Sequence, residues 1–373
     1  MVPTSSEFSD LKSGAHGDVV LLVTTTLARL GYLSAPSEGF DSVVEDAVKA
    51  LQQDRGLVVT GVVDAMTMRS LEEARWKLGD RVLSYLPSKL MRGDDIATLQ
   101  TRLSELGFHT GRVDGIYGPL TFEALKEFQK AVGAKVDGSC GPATVMALMR
   151  LVKTVSGGAP TQLREEAKRV SRGPALANKV VVLDPSSDEL DRELAFDIAQ
   201  RLEGRLIALG VTVFLTRSSA KNPSDADRIA LANSANTDLV ISLHADNYIN
   251  EIAHGVATYY YGSEAHSVRS VVGERFAALV QREITARTDL LNCRTHAKSW
   301  DLLRLTKAPA VRIDLGYLSN PGDLKRLSDS TFRETLVESI MIAIQRLYLS
   351  SEDDAKTGTL RVSDLRRAGI RQN

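Results

Sequence analysis

Two rhythms of apolar and polar residues divide the chain. Through about residue 150, apolar positions recur every three or four residues, as at Leu99, Leu103 and Leu106, and each run stops at a glycine or a polar turn. This spacing predicts short helices, three to a unit, and the unit occurs twice. Gly17-Asp18-Val19, Leu27 and Leu30-Gly31-Tyr32 return as Gly93-Asp94-Asp95, Leu103 and Leu106-Gly107-Phe108. Ala47 to Gln52 return as Ala124 to Gln129, and Thr60-Gly61, Thr67 and Leu71 as Asp137-Gly138, Thr144 and Leu148. Asp94 or Asp95 stands where a helix N-cap belongs, and Thr121 is placed to cap the helix carrying Ala124, Leu125 and Phe128. The bounds read from the pattern are 10–77 for the first module and 86–152 for the second.

Residues 153–178 carry Ser, Gly, Pro and alternating charge, which predicts a linker with one exposed helix near 163–170. From 179 to 349 the rhythm changes to short β-branched runs alternating with longer helical stretches. Strands are predicted at 179–184, 211–215, 238–243, 255–261 and 310–314, with helices at 190–209, 225–234, 264–287 and 330–349. Such alternation implies an α/β domain around a mostly parallel twisted sheet, whose chemistry gathers at the carboxyl ends of the strands. Asp184, His244 and Asp314 stand at those ends. The fold class is therefore multidomain: two small all-α three-helix modules, an α/β domain, and a tail at 350–373.

Composition sharpens this outline. With 43% hydrophobic residues and 25% charged, the chain of 373 residues can bury several cores. A net charge of -1 gives no global attraction to nucleic acid or an anionic membrane, so no nucleic-acid partner is expected. No apolar run is long enough for a transmembrane segment, and the first residues lack the apolar core of a secretory leader, so a cytoplasmic location is expected. Cys140 and Cys293 lack paired spacing and are expected to be free thiols in a reducing compartment.

The repeats resemble peptidoglycan-binding modules of the three-helix type, with the pattern LQ..L..LGF, VDG.YG..T..A...FQ and DG..GP.T...L. The second copy matches closely; the first has Glu38-Gly39-Phe40-Asp41 at the turn and Asp64 where the second has Gly141. The segment 179–349 resembles the zinc-dependent N-acetylmuramoyl-L-alanine amidases. Leu183-Asp184-Pro185, Thr216-Arg217, Arg228 with Ala232-Asn233, Ser242 to Ala245, Gly255-Val256 with Tyr259-Tyr260, and Leu303-Arg304 through Pro309-Ala310-Val311 to Asp314-Leu315-Gly316-Tyr317-Leu318-Ser319-Asn320 carry the likeness in order.

A catalytic zinc takes about three protein ligands and leaves a position for water, and amide hydrolysis needs a carboxylate to move a proton. The amidase pattern supplies His, Glu, His and a catalytic Glu. Here the first histidine and its glycines are replaced by Ser186-Ser187-Asp188-Glu189. The second ligand position falls on Asp191, with Glu193 two residues on and facing elsewhere on a helix. His244 matches the second histidine, and Asp314 takes the base position with a side chain one bond shorter than glutamate's. His254, His266 and His296 lie outside the motif. The expectation is a non-catalytic relative with no cofactor, or zinc if the amidase site is active.

The order of two modules, an incomplete amidase domain and a short tail resembles the actinobacterial CwlM family. That resemblance implies a cytosolic regulator of peptidoglycan precursor synthesis, phosphorylated by a Ser/Thr protein kinase, which binds and activates a MurA-type enolpyruvyl transferase. Muropeptide or a peptidoglycan precursor is a further expected ligand of the repeats. The Thr-Gly-Thr placement after the last helix resembles the tail of that family, which implies Thr357 and Thr359 as the phosphorylation sites; acidic residues precede them and arginines follow, so phosphate there would add nearly two negative charges beside arginines. Two other readings stand beside it: an active zinc amidase cutting between muramic acid and L-alanine, and an extracellular peptidoglycan-binding protein.

Overall fold

The computed structural model describes residues 10–151, 160–219, 221–263 and 268–349. Two compact units account for them, one holding the N-terminal helices and one the α/β domain. In the first unit, α1 (Asp18–Leu30), α2 (Ser42–Asp54) and α3 (Ala65–Glu73) form the first module, and α4 (Asp94–Glu105), α5 (Pro119–Ala131) and α6 (Pro142–Arg150) the second. Each module has its own core. Leu27, Phe40, Val48 and Leu51 centre the first, and Leu99, Leu103, Leu125 and Phe128 the second.

One glutamine repeats as a staple. Gln129 on α5 is buried; its side-chain nitrogen faces Asp137, the Ser139 carbonyl and Thr144 of α6, while its oxygen accepts from the amides of Asp137 and Gly138. Gln52 on α2 does the same for the 60–62 turn and Thr67, and Gln100 on α4 for the 114–116 turn and Thr121. The buried glycine amide at the centre of each turn needs a partner, and one side chain meets that need while tying two helices together. Where the repeat calls for a fourth glutamine, on α1, stands Thr24, whose shorter hydroxyl reaches Ser37 instead. Thr121 thus serves the staple rather than a cap; Gly118 takes the N-cap position. Likewise Gly93 caps α4, and Asp95 is buried in an ion pair with Arg81, Nε to Oδ2 at 2.7 Å.

The second unit begins at Arg164 within α7 (Pro160–Ser171), followed by β1 (Val180–Pro185), α8 (Arg192–Ile207), β2 (Thr212–Leu215), α9 (Asp225–Ser234), β3 (Leu239–Asp246) and β4 (Val256–Ser263). It continues with β5 (Val268–Arg269), α10 (Val271–Arg287), β6 (Asn292–Lys298), α11 (Asp301–Leu305), β7 (Ala310–Tyr317), α12 (Pro321–Ser328) and α13 (Ser330–Tyr348). The strands order as β2-β1-β3-β7-β4-β5, with β6 on β4. β1, β2, β3 and β7 run parallel; β4 is antiparallel to β7 and parallel to β6, so the sheet is mixed. Helices α8, α10 and α13 supply Ile198, Phe276, Val280, Ile340 and Ile344 to the core.

Three expectations change. The helix expected from residue 264 starts at Val271, because the Ser270 hydroxyl accepts from the Gly273 amide and caps it there. The helix expected near 163–170 is present as α7, but where an exposed helix was expected it is bonded to the α/β domain from Glu165 onward: Glu165 accepts from the Ser270 hydroxyl and Val272 amide, and Arg169 donates to the Leu347 carbonyl. β5, β6, α11 and α12 were not expected at all.

Replacing Gln129 by Leu keeps bulk but strands the buried Gly138 amide, at about 1–3 kcal/mol, and frees the part-buried Asp137 amide and the groups its nitrogen ties to α6. We expect the earliest helical unfolding transition in urea, followed by circular dichroism, to shift by about 2 kcal/mol or more, while Gln53→Ala, at an exposed position, leaves it in place.

Candidate functional site

The carboxyl ends of β1, β3 and β7 converge on the residues singled out from sequence. Asp184, last but one in β1, is buried and accepts three hydrogen bonds: from the Thr216 hydroxyl at 2.6 Å, Arg228 at 2.9 Å and the Ser242 hydroxyl at 2.7 Å. Arg217, of the same Thr-Arg motif, donates to the carbonyls of Pro185, Ser186 and Arg192 and lies over the Phe196 ring. These residues hold the loop after β1 in place. Asn320 similarly caps α12, and the buried Asp323 carboxylate accepts from the amides of Gly255 and Tyr317. Gly255, with φ +107, is obligatory there, since a side chain would meet the Leu291 carbonyl at 2.5 Å.

His244 stands two residues beyond Ser242 on β3, on the same face. Its Nε2 lies 2.9 Å from the Ser242 hydroxyl. That hydroxyl donates to Asp184, so it accepts from His244, which puts the proton on Nε2 and leaves Nδ1 bare. Nδ1 points toward Asp191 Oδ2 at 4.0 Å, too far for a hydrogen bond. Dense surroundings, then the charges of Arg312 and Arg228, push the imidazole pKa well below its ordinary value although one edge of the ring stays open. The imidazole is neutral, and no ion pair with Asp191 forms. Asp191 itself is buried and receives the Ala245 amide at 2.8 Å; burial raises its pKa. Glu193 points to solvent, which settles which of the two carboxylates faces the site.

Asp314 is the register partner of His244 on β7. Its carboxylate accepts from Arg312 Nε at 2.7 Å. Burial pushes this carboxyl up, and the guanidinium beside it works against the rise. Burial would lower Arg312, yet the Asp314 charge outweighs it and the arginine pKa is raised. Arg312 also lies over Trp300 at 4.9 Å, and Trp300 packs on Tyr259 at 4.8 Å.

Arg312 is the functional residue that the sequence reading missed. It stands two before Asp314 on a strand, so both face the same way, and a lone cation in an apolar run was the available signal. His254 is exposed beside the Ile252 carbonyl, and His296 bonds the Cys293 carbonyl with its ring 5.7 Å from that of Tyr259; His266, like Thr357 and Thr359, lies outside the described residues.

Zinc of the amidase type needs three donors around one point. Asp191 and His244 approach each other, but Ser186 and Ser187 offer no imidazole, and the carboxylate of Asp314 is engaged by a guanidinium. Among the described residues no group of three or more His, Cys, Asp or Glu is arranged to hold a metal ion. The donor set present does not fit zinc.

Helical repeats ahead of this α/β layout define a peptidoglycan-binding and amidase-type protein. Residues 184–346 match the N-acetylmuramoyl-L-alanine amidase family model, and 16–71 and 92–148 match the putative peptidoglycan binding domain. The chain belongs to the family of the N-acetylmuramoyl-L-alanine amidase CwlM of Mycobacterium tuberculosis, to which it is 39% identical over 97% of its length and 95% of the relative's. It is also 27% identical to the probable cell wall amidase LytH of Staphylococcus epidermidis, over 52% of this chain and 66% of that one. Among solved structures, Ami1 of Mycobacterium smegmatis is similar at 20% identity, covering 46% of this chain and 98% of that one, TM-score 0.42. AmiC2 of Nostoc punctiforme matches at 23% identity over 44% and 94%, TM-score 0.40.

His244 gives this site a signature in pH. A base whose folded pKa is depressed stabilises the fold fully above its unfolded value, about 6.5, and that stability is lost as pH falls toward the folded value. We expect the α/β domain to lose up to about 1.4 kcal/mol per pH unit below pH 6.5 through this group, and His244→Gln to flatten that part of the stability profile in urea titrations.

Proposed function

We propose that the protein is a cytoplasmic, non-catalytic member of its family that controls peptidoglycan precursor synthesis. In this reading it binds and activates a MurA-type enolpyruvyl transferase, and a Ser/Thr protein kinase acting on Thr357 and Thr359 sets the strength of that binding. The observation that carries the loss of catalysis is the ion pair of Arg312 with Asp314. A general base must be free to take a proton from water, and a zinc nucleophile needs a third ligand. Two free thiols, one of them only partly buried, fit a reducing compartment, and among the described residues no helix is long and apolar enough to cross a membrane. The partner and the kinase rest on the family resemblance alone.

A second reading is the active zinc amidase, favoured by the approach of His244 and Asp191 and by the amidase names of the relatives. The two part on one measurement. Purified protein equilibrated with zinc is expected to retain less than a tenth of an equivalent by elemental analysis and to release no peptide from muramyl-peptide. One equivalent of zinc, with release abolished by His244→Ala, would establish the enzyme instead.

For the regulatory half, kinase-treated protein is expected to bind the transferase and raise its rate, and the Thr357→Ala/Thr359→Ala variant to do neither. Equal activation by the variant would remove both threonines from the mechanism. Recovery only from the extracellular fraction would favour the peptidoglycan-binding reading.

A further inference from the structure

We infer that the seam between the two helical modules is a binding site for a small anion carried on a ring, of the size of one acidic or phosphorylated sugar. A cavity of about 250 Å³ opens there, lined by Arg69, Glu72 and Glu73 of α3, Arg75, Trp76 and Arg81 of the connecting segment, and Arg92 ahead of α4. Its volume lies below that of sites for drug-sized ligands, typically about 300–1,000 Å³, which leaves room for about one sugar ring. The inference stands apart from the reading of the α/β domain, since every residue involved belongs to the helical unit.

The walls are fixed from both modules. Arg29 of α1 donates to the Ala74 carbonyl at 2.9 Å and to that of Arg75, holding the segment that presents Trp76. Arg55 of α2 pairs with Asp94 of α4 at 2.7 Å and ties the modules together. Arg81 is locked by the buried Asp95 and by the Arg92 carbonyl, so its guanidinium is held in place 5.1 Å from the Trp76 ring centre. Geometry of this kind costs little to reorganise when a ligand arrives.

The charges define the ligand. Asp95 neutralises Arg81, whereas Arg75 and Arg92 form no ion pair with any described residue. Two spare guanidiniums bordering a cavity suit a carboxylate or phosphate, which they can grip through paired hydrogen bonds. The indole, with the Arg75 guanidinium 5.8 Å and the Arg81 guanidinium 5.1 Å from its ring centre, is the apolar surface against which a ring can pack beside those cations. Glu72, also without an ion pair among the described residues, can accept from ligand hydroxyls. A neutral sugar leaves the arginines unmatched, and a bare phosphate leaves the indole unused.

The chain has two tryptophans, so Trp300→Phe leaves Trp76 as the sole indole reporter. Fluorescence of that protein is titrated with glucuronate, glucose 6-phosphate, inorganic phosphate and glucose. A saturable change with glucuronate or glucose 6-phosphate, at least tenfold tighter than with phosphate or glucose, is expected. Arg75→Gln/Arg92→Gln in the same background is expected to weaken it at least tenfold, with Arg75→Lys/Arg92→Lys intermediate. An equal response to inorganic phosphate overturns the ring, an equal response to glucose overturns the anion, and no saturable response to any ligand overturns the site. The ligand comparison needs only the single variant, so it decides the matter even if the arginine variants fail to fold.

Discussion

The carboxyl end of the sheet hangs on one buried carboxylate. Asp184 accepts from a residue after β2, from α9 and from β3, so three separate parts of the chain are fixed to the tip of β1 by a single group. Partnerless, an ion so placed would be costly to bury; with three donors its charge is matched and its geometry fixed. The state of His244 follows, because the Ser242 hydroxyl that gives its proton to Asp184 must take one from the imidazole. Removing Arg228 would leave the carboxylate buried beside two hydroxyls, with no cation to match its charge.

This arrangement separates two things that family motifs combine. Thr216, Arg217, Arg228, Gly255 and Asn320 hold loops and helix ends, and here each still does so. The donors for a metal are a different set, and that set is incomplete. Scaffold residues are constrained by the stability of the sheet whether or not chemistry happens above it, so the likeness survives where the ligands do not.

Much of this was legible in the sequence. The module helices announced themselves by spacing and by glycine stops, and β1, β3 and β7 by β-branched runs, because burial on both faces demands continuous apolar residues. β6 was not legible: Asn292–Lys298 lies off the main strand order, mostly exposed, and its polar residues carry no strand rhythm. The role of Gln100 and Gln129 was hidden because a polar residue in a helix repeat reads as surface until the turn that it satisfies is seen. Asp191 and Glu193 could be told apart only by orientation. Arg312 sat in the unassigned gap of a motif, and its meaning depends on Trp300 and Asp314, which only the fold brings to it.

The guanidinium of Arg312 has a consequence for how the protein depends on its surroundings. A metal centre is assembled after translation, from an ion that the cell must supply and that competing ligands can withdraw. A cation built into the chain is delivered with every copy, in fixed ratio to the carboxylate that it faces. The charge that Asp314 faces is thus encoded on its own strand, two residues away, and arrives with the fold itself.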